Sequence, residues 1–208
     1  MTEVGTRGSG GRVKGGATKS NRRDELVQIA GKLFAENGFH VTTIRDVADA
    51  AGIQSGSLYH HFASKESMVE ELLREYWEKL LDGYREVSTT EVDPTRAAYG
   101  LIRRSVTLLD ECQDALRIML SDWSYLARSF PFMDESLQEC QDVWLAVLEK
   151  GMRDGAFDET LDARIVYRTI MASVSGTTRW FEPHGRLSAD DLADQIAALF
   201  MRGVNARR

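Results

Sequence analysis

The chain has 208 residues, 43% of them hydrophobic, and a formal net charge of −6, which suffices for one large or two small domains. No apolar run approaches the roughly 18 residues of a membrane span, and the polar, glycine-rich start lacks the apolar core of a signal peptide. The two cysteines, Cys112 and Cys140, lie in apolar-patterned stretches, which is typical of buried thiols in a reducing compartment. We therefore expect a cytoplasmic protein.

The charge is distributed unevenly along the chain. Residues 1–23 contain six basic residues and one Glu, a net charge of +5, so the other 185 residues carry −11. A basic start on an acidic body predicts a protein that contacts phosphate at one end only. We interpret residues 1–19 as a flexible, basic, glycine-rich arm, which either contacts DNA or is simply a solvated tail.

Two short helices around a tight turn are predicted between residues 42 and 65. A preceding helix, from residue 20 or 21 to residue 37, has an apolar stripe and ends at Gly38. In the first short helix Thr43 is placed to cap free N–H groups, and Asp46, three residues later, completes a capping-box pattern. Gly52 then ends this helix in a turn that needs a positive φ.

The second short helix has a polar and aromatic face. Ser55 is placed to cap it, and Leu58 and Phe62, four residues apart, are expected to point inward. The residues that face outward are small, flat or rich in hydrogen-bonding groups: Gly56, Ser57, Tyr59 and His60. Together the two helices predict a helix-turn-helix domain over residues 20–66 that reads DNA.

The remaining sequence predicts only helices, about nine in the whole chain, and hence an all-α protein. A long helix capped by Ser64 runs to about residue 87, and Asp93 with Pro94 starts the next one. Further helices are predicted over residues 115–129, 133–154 and 162–181, and from Ser188 onwards. Residues 67–208 form the predicted second domain, with the long helix as a strut to the DNA-binding end.

The last two predicted helices combine apolar residues with small ones. The small residues are 172–176 in one helix and Ala193, Ala197 and Ala198 in the other. Such faces can bury against a symmetry mate, so we expect a homodimer held by a four-helix contact. Packing within one subunit is the alternative.

Aromatic and methionine side chains of the second domain could surround an apolar pocket. They are Tyr99, Met119, Trp123, Phe130, Trp144 and Met171, although the same residue types at helical spacing equally describe an ordinary core. Arg103 and Arg104 lie on an otherwise apolar helix. One of them either enters the pocket to meet an anionic group or is solvated.

The helix-turn-helix stretch resembles the TetR family of bacterial transcription repressors. The matching segments are FAENGFHVTTIRDVA (34–48), AGI (51–53), GSLYHHF (56–62) and SKE (64–66). The resemblance implies a three-helix DNA-binding domain, a larger helical domain with a ligand cavity, and a dimer through the last two helices. It places the family's DNA contacts on Thr43, Gln54, Ser55, Ser57, Tyr59, His60 and Lys65, with Thr43 and Lys65 at the DNA backbone.

A second segment, RWFEPHGRLS (179–188), is similar to a box in the branch of this family that represses steroid and fatty-acid breakdown and binds acyl-CoA thioesters. The similarity implies a small apolar or acyl-CoA-like effector. That branch has an Arg and, four residues later, a Trp shortly before the box, whereas Met171 and Ser175 stand there in this sequence. The departure weighs against a CoA thioester and leaves an apolar effector, with both residues as pocket candidates.

The sequence thus predicts a ligand-responsive repressor and not an enzyme. It contains no Gly-x-Ser-x-Gly, no His/Glu metal-binding helix and no phosphate-binding glycine loop in the right context. The adjacent His60 and His61 diverge on a short helix, so no metal site is expected there, and no cofactor is expected. Two alternatives stay open: a ligand-independent architectural DNA-binding protein, and an activator of the same fold.

Overall fold

A computed structural model describes residues 17–182 and 185–204, with only the backbone described for residues 17–21. In these ranges the chain forms nine α-helices and one short 3-10 helix, and no β-strand. The α-helices are α1 (Ala17–Asn37), α2 (Ile44–Ala50), α3 (Ser55–Leu58), α4 (Lys65–Thr90), α5 (Pro94–Glu111), α6 (Gln113–Ser129), α7 (Phe132–Arg153), α8 (Ala163–Gly176) and α9 (Ala189–Val204). The prediction of an all-α fold is confirmed.

The first helix begins earlier than the sequence predicted. Residues 17–19, which we placed in the flexible arm, are already helical, and α1 starts at Ala17. The predicted start, Ser20 or Asn21, lies inside the helix, because a helix can continue through such polar residues when better helix formers precede them, as Ala17 and Lys19 do here. The rest of the predicted arm, residues 1–16, lies outside the described residues.

Caps and glycines set the boundaries of the short helices. Thr43 and Asp46 form the predicted capping box at the start of α2, and Gly38 and Gly52 have φ values of 92° and 66°. The cap predicted at Ser55 was wrong: Gln54 precedes α3 without a side-chain cap, and Ser55 is the first helical residue.

The helix α4 connects the two ends of the molecule. Ser64 caps it as predicted, and the helix continues through Thr90, beyond the predicted end near residue 87. Near its start α4 packs against α1, and along its length it packs against α5, α6 and α7. Nine buried side chains along it belong to the core, and each large apolar one stabilises the fold by about 1.5–3 kcal/mol. The helix α4 is therefore packed against the DNA-binding domain through α1 and against the second domain through α5, α6 and α7.

Two irregularities distinguish the second half of the chain. Within α6, Asp122 has non-helical backbone angles, φ −124° and ψ 23°. The predicted helix over residues 162–181 is shorter than expected, because α8 ends at Gly176 and a 3-10 helix (Thr177–Arg179) follows. In the described ranges no helix combines the length and apolarity that crossing a membrane would require.

Candidate DNA-binding surface and effector cavity

The outward face of α3 and the following turn carries the predicted DNA-contacting side chains. Leu58 and Phe62 are 0% and 2% exposed, whereas Tyr59 is 58% exposed. Gly56, Ser57 and His60 are exposed beside Tyr59, as expected, and so is Gln54, while Ser55 is half-buried. The α3 helix is only four residues long, but backbone hydrogen bonds from His61 and Phe62 to the carbonyl of Leu58 continue its turn.

Arg23 of α1 fixes this turn from below, a role that the sequence did not reveal. Its guanidinium donates to the carbonyl of His61 and to both carboxylate oxygens of Glu71 in α4. It also lies 4.2 Å from the centre of the Phe62 ring. Arg23 therefore joins α1, the end of the α3 turn and α4. This structural role could not be predicted from the sequence, because Arg23 is one of six basic residues among the first 23 positions.

Thr43 is exposed at the start of α2, but its hydroxyl is already engaged. It donates to the Asp46 carboxylate at 2.7 Å and accepts from the Asp46 N–H at 3.2 Å. Hydrogen bonds from Thr43 lower the pKa of Asp46, the backbone bond contributing most. A phosphate contact from the Thr43 hydroxyl would have to replace its bond to Asp46.

The ammonium group of Lys65, which was predicted at the DNA backbone, is bonded within the protein. This group donates to the carbonyl oxygens of Phe39, His40 and Thr42, at 2.6, 3.3 and 3.1 Å, and lies 4.5 Å from the centre of the Phe39 ring. All three N–H groups thus have partners within the protein. Lys65 therefore holds the turn between α1 and α2, and a phosphate contact would have to compete with these three carbonyls.

Arg45 of α2 is a cation that was not singled out from the sequence. Its side chain is 83% exposed, and the nearest carboxylate oxygen, from Asp49, is 3.8 Å from Nε. This pair on one helix is weak, because exposed ion pairs typically contribute under about 1 kcal/mol. Arg45 follows the capped start of α2, so it is the better candidate for a phosphate contact.

A second candidate site is an apolar cavity of about 230 Å³ lined by residues of α4, α5, α6, α7 and α8. Four of the predicted pocket residues line it: Met119, Trp123, Met171 and Ser175. Aromatic residues of α4 and α8 that were not predicted complete the wall: Tyr76, Trp77, Tyr84 and Tyr167. These residues repeat at helical spacing, which predicts only that they are buried. Residues that line a cavity and residues in a solid core follow the same spacing along a helix.

The polar groups that line this cavity are neutral. The Tyr84 hydroxyl and Ser105 Oγ are 2.6 Å apart, and burial raises the pKa of Tyr84. Burial also raises the pKa of Tyr167 and of the Cys140 thiol to about 12, so both stay protonated at neutral pH. The Nε1 of Trp77 is buried without a hydrogen-bond partner. The cavity therefore suits an apolar body with few acceptor atoms.

Three predicted pocket residues lie elsewhere. Tyr99 donates to Asp194 of α9, and Arg103 bonds to Asp190 of the same helix at 2.7 Å, because this face of α5 packs against α9. Trp144 is fully buried in the core, 6.2 Å from the Tyr84 ring, and is not on the cavity wall.

Two further candidates for the pocket, Phe130 and Arg104, also lie outside the cavity wall. Phe130 is buried beside Phe132. The guanidinium of Arg104 bonds to the carbonyl of Lys79 at 3.1 Å and to Glu111 at 3.4 Å. Arg104 thus joins α4 to α5 through the Lys79 carbonyl, is partly exposed and does not line the pocket.

A polar cleft of about 860 Å³ adjoins the apolar cavity. The two share Leu120, Ala172 and Ser175 in their walls. The cleft is also lined by Arg117 of α6 and Arg179 of the 3-10 helix. Unlike Arg103 and Arg104, neither forms a salt bridge within the described part of the chain. A small apolar chamber thus opens beside two cations that are available to an anionic group.

Comparison with known proteins defines the class to which this architecture belongs. Residues 26–72 match the bacterial regulatory proteins of the tetR family, and residues 91–204 match the tetracyclin repressor-like C-terminal domain. The chain belongs to the TetR family of transcriptional regulators, and it is not an enzyme, as the sequence predicted.

The individual relatives indicate which branch of the TetR family this chain resembles. The chain is 38% identical over 188 residues to the HTH-type transcriptional repressor KstR2 of Rhodococcus jostii, covering 89% of this chain and 92% of the relative. The structure of the ketosteroid transcriptional regulator KstR2 of Mycobacterium tuberculosis has 36% identity and a TM-score of 0.87, over 89% of this chain and 96% of that one. The probable transcriptional regulatory protein RHA5900 has 37% identity and a TM-score of 0.82, over 89% of this chain and all of that one. The resemblance to the steroid-catabolism branch is confirmed.

Proposed function

We propose that the protein is a homodimeric, sequence-specific transcriptional repressor that leaves its operator when a small effector binds in the cavity between α4 and α8. The observation that carries the proposal is the exposed face of α3, with Tyr59 held out by the buried Leu58 and Phe62. Contacts of Arg23 with His61 and Phe62 fix the end of this helix, which is too short to be stable alone. Operator DNA lies in the cytoplasm, which is where the repressor would act.

On the DNA side, the α3 face enters the major groove. Tyr59, His60, Ser57 and Gln54 are the candidates for contacts with bases and phosphates, and Arg45 adds a phosphate contact beside the groove. The basic residues of the N-terminal segment add salt-dependent affinity that carries no sequence preference.

The dimer uses the outer faces of α8 and α9. Ile165 is 64% and Leu199 73% exposed, and the small residue Ala198 beside Leu199 is also exposed. An apolar face of this kind, with small residues that permit close approach, fits a four-helix contact with a second copy. The two α3 helices would then read half-sites one helical turn apart, or a multiple of it.

The effector is best matched by an apolar body with an anionic or polar end. The 230 Å³ cavity is below the roughly 300–1,000 Å³ of typical ligand pockets, so the ligand also occupies the cleft. The apolar part lies among Met119, Trp123 and Met171, an acceptor atom meets Trp77 Nε1, and the charged end lies near Arg117 and Arg179. Ligand binding shifts α4, and with it the spacing of the two α3 helices.

Selection from a random-sequence duplex library tests the DNA-binding part. The proposal expects enrichment of an inverted repeat whose half-sites are one or more helical turns apart. The architectural alternative would give no enriched sequence. An activator would give the same repeat, so a reporter gene placed behind the repeat separates it from a repressor: expression should fall.

Operator release tests the effector part, with androst-4-ene-3,17-dione as a neutral probe and a steroid acyl-CoA thioester as an anionic one. The thioester should release the operator at lower concentration, and the double variant Arg117→Gln/Arg179→Gln should remove that advantage while leaving the response to the neutral steroid. Equal release by both probes in the wild type would contradict the role of the two arginines. Failure of both probes would exclude these two compounds as effectors.

A further inference from the structure

The turn between α1 and α2 contacts the second domain as well as its own. His40 Nε2 lies 3.4 Å from Asp122 Oδ1 of α6, and the His40 ring packs edge-to-face on Tyr125 at 4.7 Å. The Phe39 ring, only 1% exposed, lies 5.8 Å from the same tyrosine. One turn of α6 therefore packs on the residues that lead into α2.

Asp122 is also where α6 departs from helical geometry, with φ −124° and ψ 23°. Irregular residues inside a helix are the points at which helices bend. Two residues close to it line the effector cavity: Leu120 precedes Asp122, and Trp123 follows it. A ligand that pushes on Trp123 or Leu120 acts directly on the segment that holds His40.

On its other side the turn is bonded to the helix-turn-helix. Lys65 binds the carbonyls of Phe39, His40 and Thr42, and the next residue, Thr43, caps α2. A displacement of His40 therefore moves the start of α2, which packs against α3.

We propose that the contact of His40 with Asp122, supported by Tyr125, couples the effector cavity to the DNA-reading surface through α6. The inference rests on the proposed function and adds a second connection to the one through α4. His40 and Asp122 are positioning residues, since neither lines the cavity nor lies on the α3 face.

Coupling between two sites is reciprocal, so operator binding must alter α6. Hydrogen–deuterium exchange tests this on the full-length dimer with the duplex recovered by selection. In the wild type, the duplex should slow exchange of residues 55–62 and also of residues 119–126, by about threefold or more. In Asp122→Asn the duplex should slow the exchange of residues 119–126 by less than half as much as in the wild type, while residues 55–62 stay protected.

Glu139→Gln is the matched control, because it removes a carboxylate that pairs with Arg85 at 2.6 Å between two helices of the second domain; it should behave as the wild type. His40→Gln should reproduce Asp122→Asn, and the double variant should lose no more than either. Should Asp122→Asn fail to fold, His40→Gln answers the same question.

The outcomes separate the coupling from the proposed function. Protection of residues 55–62 with unchanged residues 119–126 in the wild type, or equal changes in wild type and Asp122→Asn, would overturn the coupling and leave the proposed function. A selected duplex that protects neither segment would overturn both.

Discussion

At the scale of single residues, the sequence predicted the exposure of a side chain better than it predicted the hydrogen bonds that the side chain forms. Tyr59 was predicted to face outward and does so, because Leu58 and Phe62 fix the phase of the turn. Lys65 was predicted at the DNA backbone, yet its ammonium binds three carbonyls of the turn between α1 and α2. The pattern of residues can place a cation near DNA, but only the folded backbone shows which acceptors compete for it.

The variant Lys65→Met should therefore destabilise the fold. It leaves three carbonyls without their partner, and a lost hydrogen bond of this kind typically costs about 1–3 kcal/mol. Operator affinity should fall on every sequence, with an unchanged dependence on salt. Chemical denaturation and anisotropy titrations at several salt concentrations measure both.

Arg45→Met is the comparison for Lys65→Met. Because the Arg45 side chain is 83% exposed, its removal should leave stability unchanged and reduce the salt slope by about one unit. If the two variants exchanged these behaviours, Lys65 would be the phosphate ligand after all.

Tyr59→Ala should weaken operator binding by about tenfold or more, since a good contact to a base edge contributes about 1–3 kcal/mol. Its ring is 58% exposed, so the unfolding temperature and the dimer should be unaffected. Tyr59→Phe separates the hydroxyl from the ring. Wild-type affinity in Tyr59→Ala would remove this residue from the interface.

The capping box gives a prediction about pH. Hydrogen bonds from Thr43 lower the pKa of Asp46 in the folded protein. The contribution of the ionised carboxylate to stability is therefore complete above the pKa of the unfolded chain, about 3.9, and is lost as the pH falls through the folded value. The difference in unfolding temperature between wild type and Asp46→Asn should shrink on acidification from about pH 6 to about pH 3. A constant difference would show that ionisation of Asp46 does not matter.

At the scale of helices, periodicity and caps predicted most of the architecture. The starts of α2, α4 and α5 followed from Thr43, Ser64 and Asp93, each of which accepts a hydrogen bond from the first turn. The bend at Asp122 in α6 carries no Pro or Gly, the usual sequence signals of a bend. The face of α5 with Tyr99 and Arg103 meets α9 instead of the cavity, and this depends on packing between distant segments, which local periodicity cannot specify.

The end of α7 depends on one close approach. A Cβ on Gly151 would lie 2.2 Å from the ring of Phe157, which is 1% exposed. Gly151→Ala should therefore lower the free energy of unfolding by about 1–3 kcal/mol through overpacking. Gly176→Ala is the control, since Gly176 has a helical φ of −62° and a Cβ added there would meet no atom within 4 Å; the stability of this variant should be unchanged or slightly higher. Equal effects would contradict the steric explanation.

At the scale of the whole molecule, two copies must be held at a fixed spacing for two α3 helices to read DNA together. The exposed Leu199 lies on the proposed contact face of α9. Leu199→Arg should shift the protein to monomers in sedimentation and weaken operator binding about a hundredfold or more, because the two half-sites are then bound independently. Val92→Arg, at a side chain 81% exposed in the connection before α5, should leave both properties unchanged. A dimeric Leu199→Arg would place the interface elsewhere.

The effector is the part of the mechanism that the sequence predicted least. Met119, Trp123, Met171 and Ser175 do line one cavity, but the two arginines of the adjoining cleft come from α6 and from the segment after α8. They come together only in the folded chain. The acidic body and the basic start, by contrast, were evident from the order of charges alone.

The most direct test of sequence-specific repression is the affinity of the wild-type dimer for the selected duplex and for a shuffled duplex of the same composition, measured by anisotropy at one physiological salt concentration. A specific repressor should prefer the selected duplex by about a thousandfold or more, with one dimer bound per duplex. Nearly equal affinities for the two duplexes would contradict sequence-specific repression and favour an architectural DNA-binding protein.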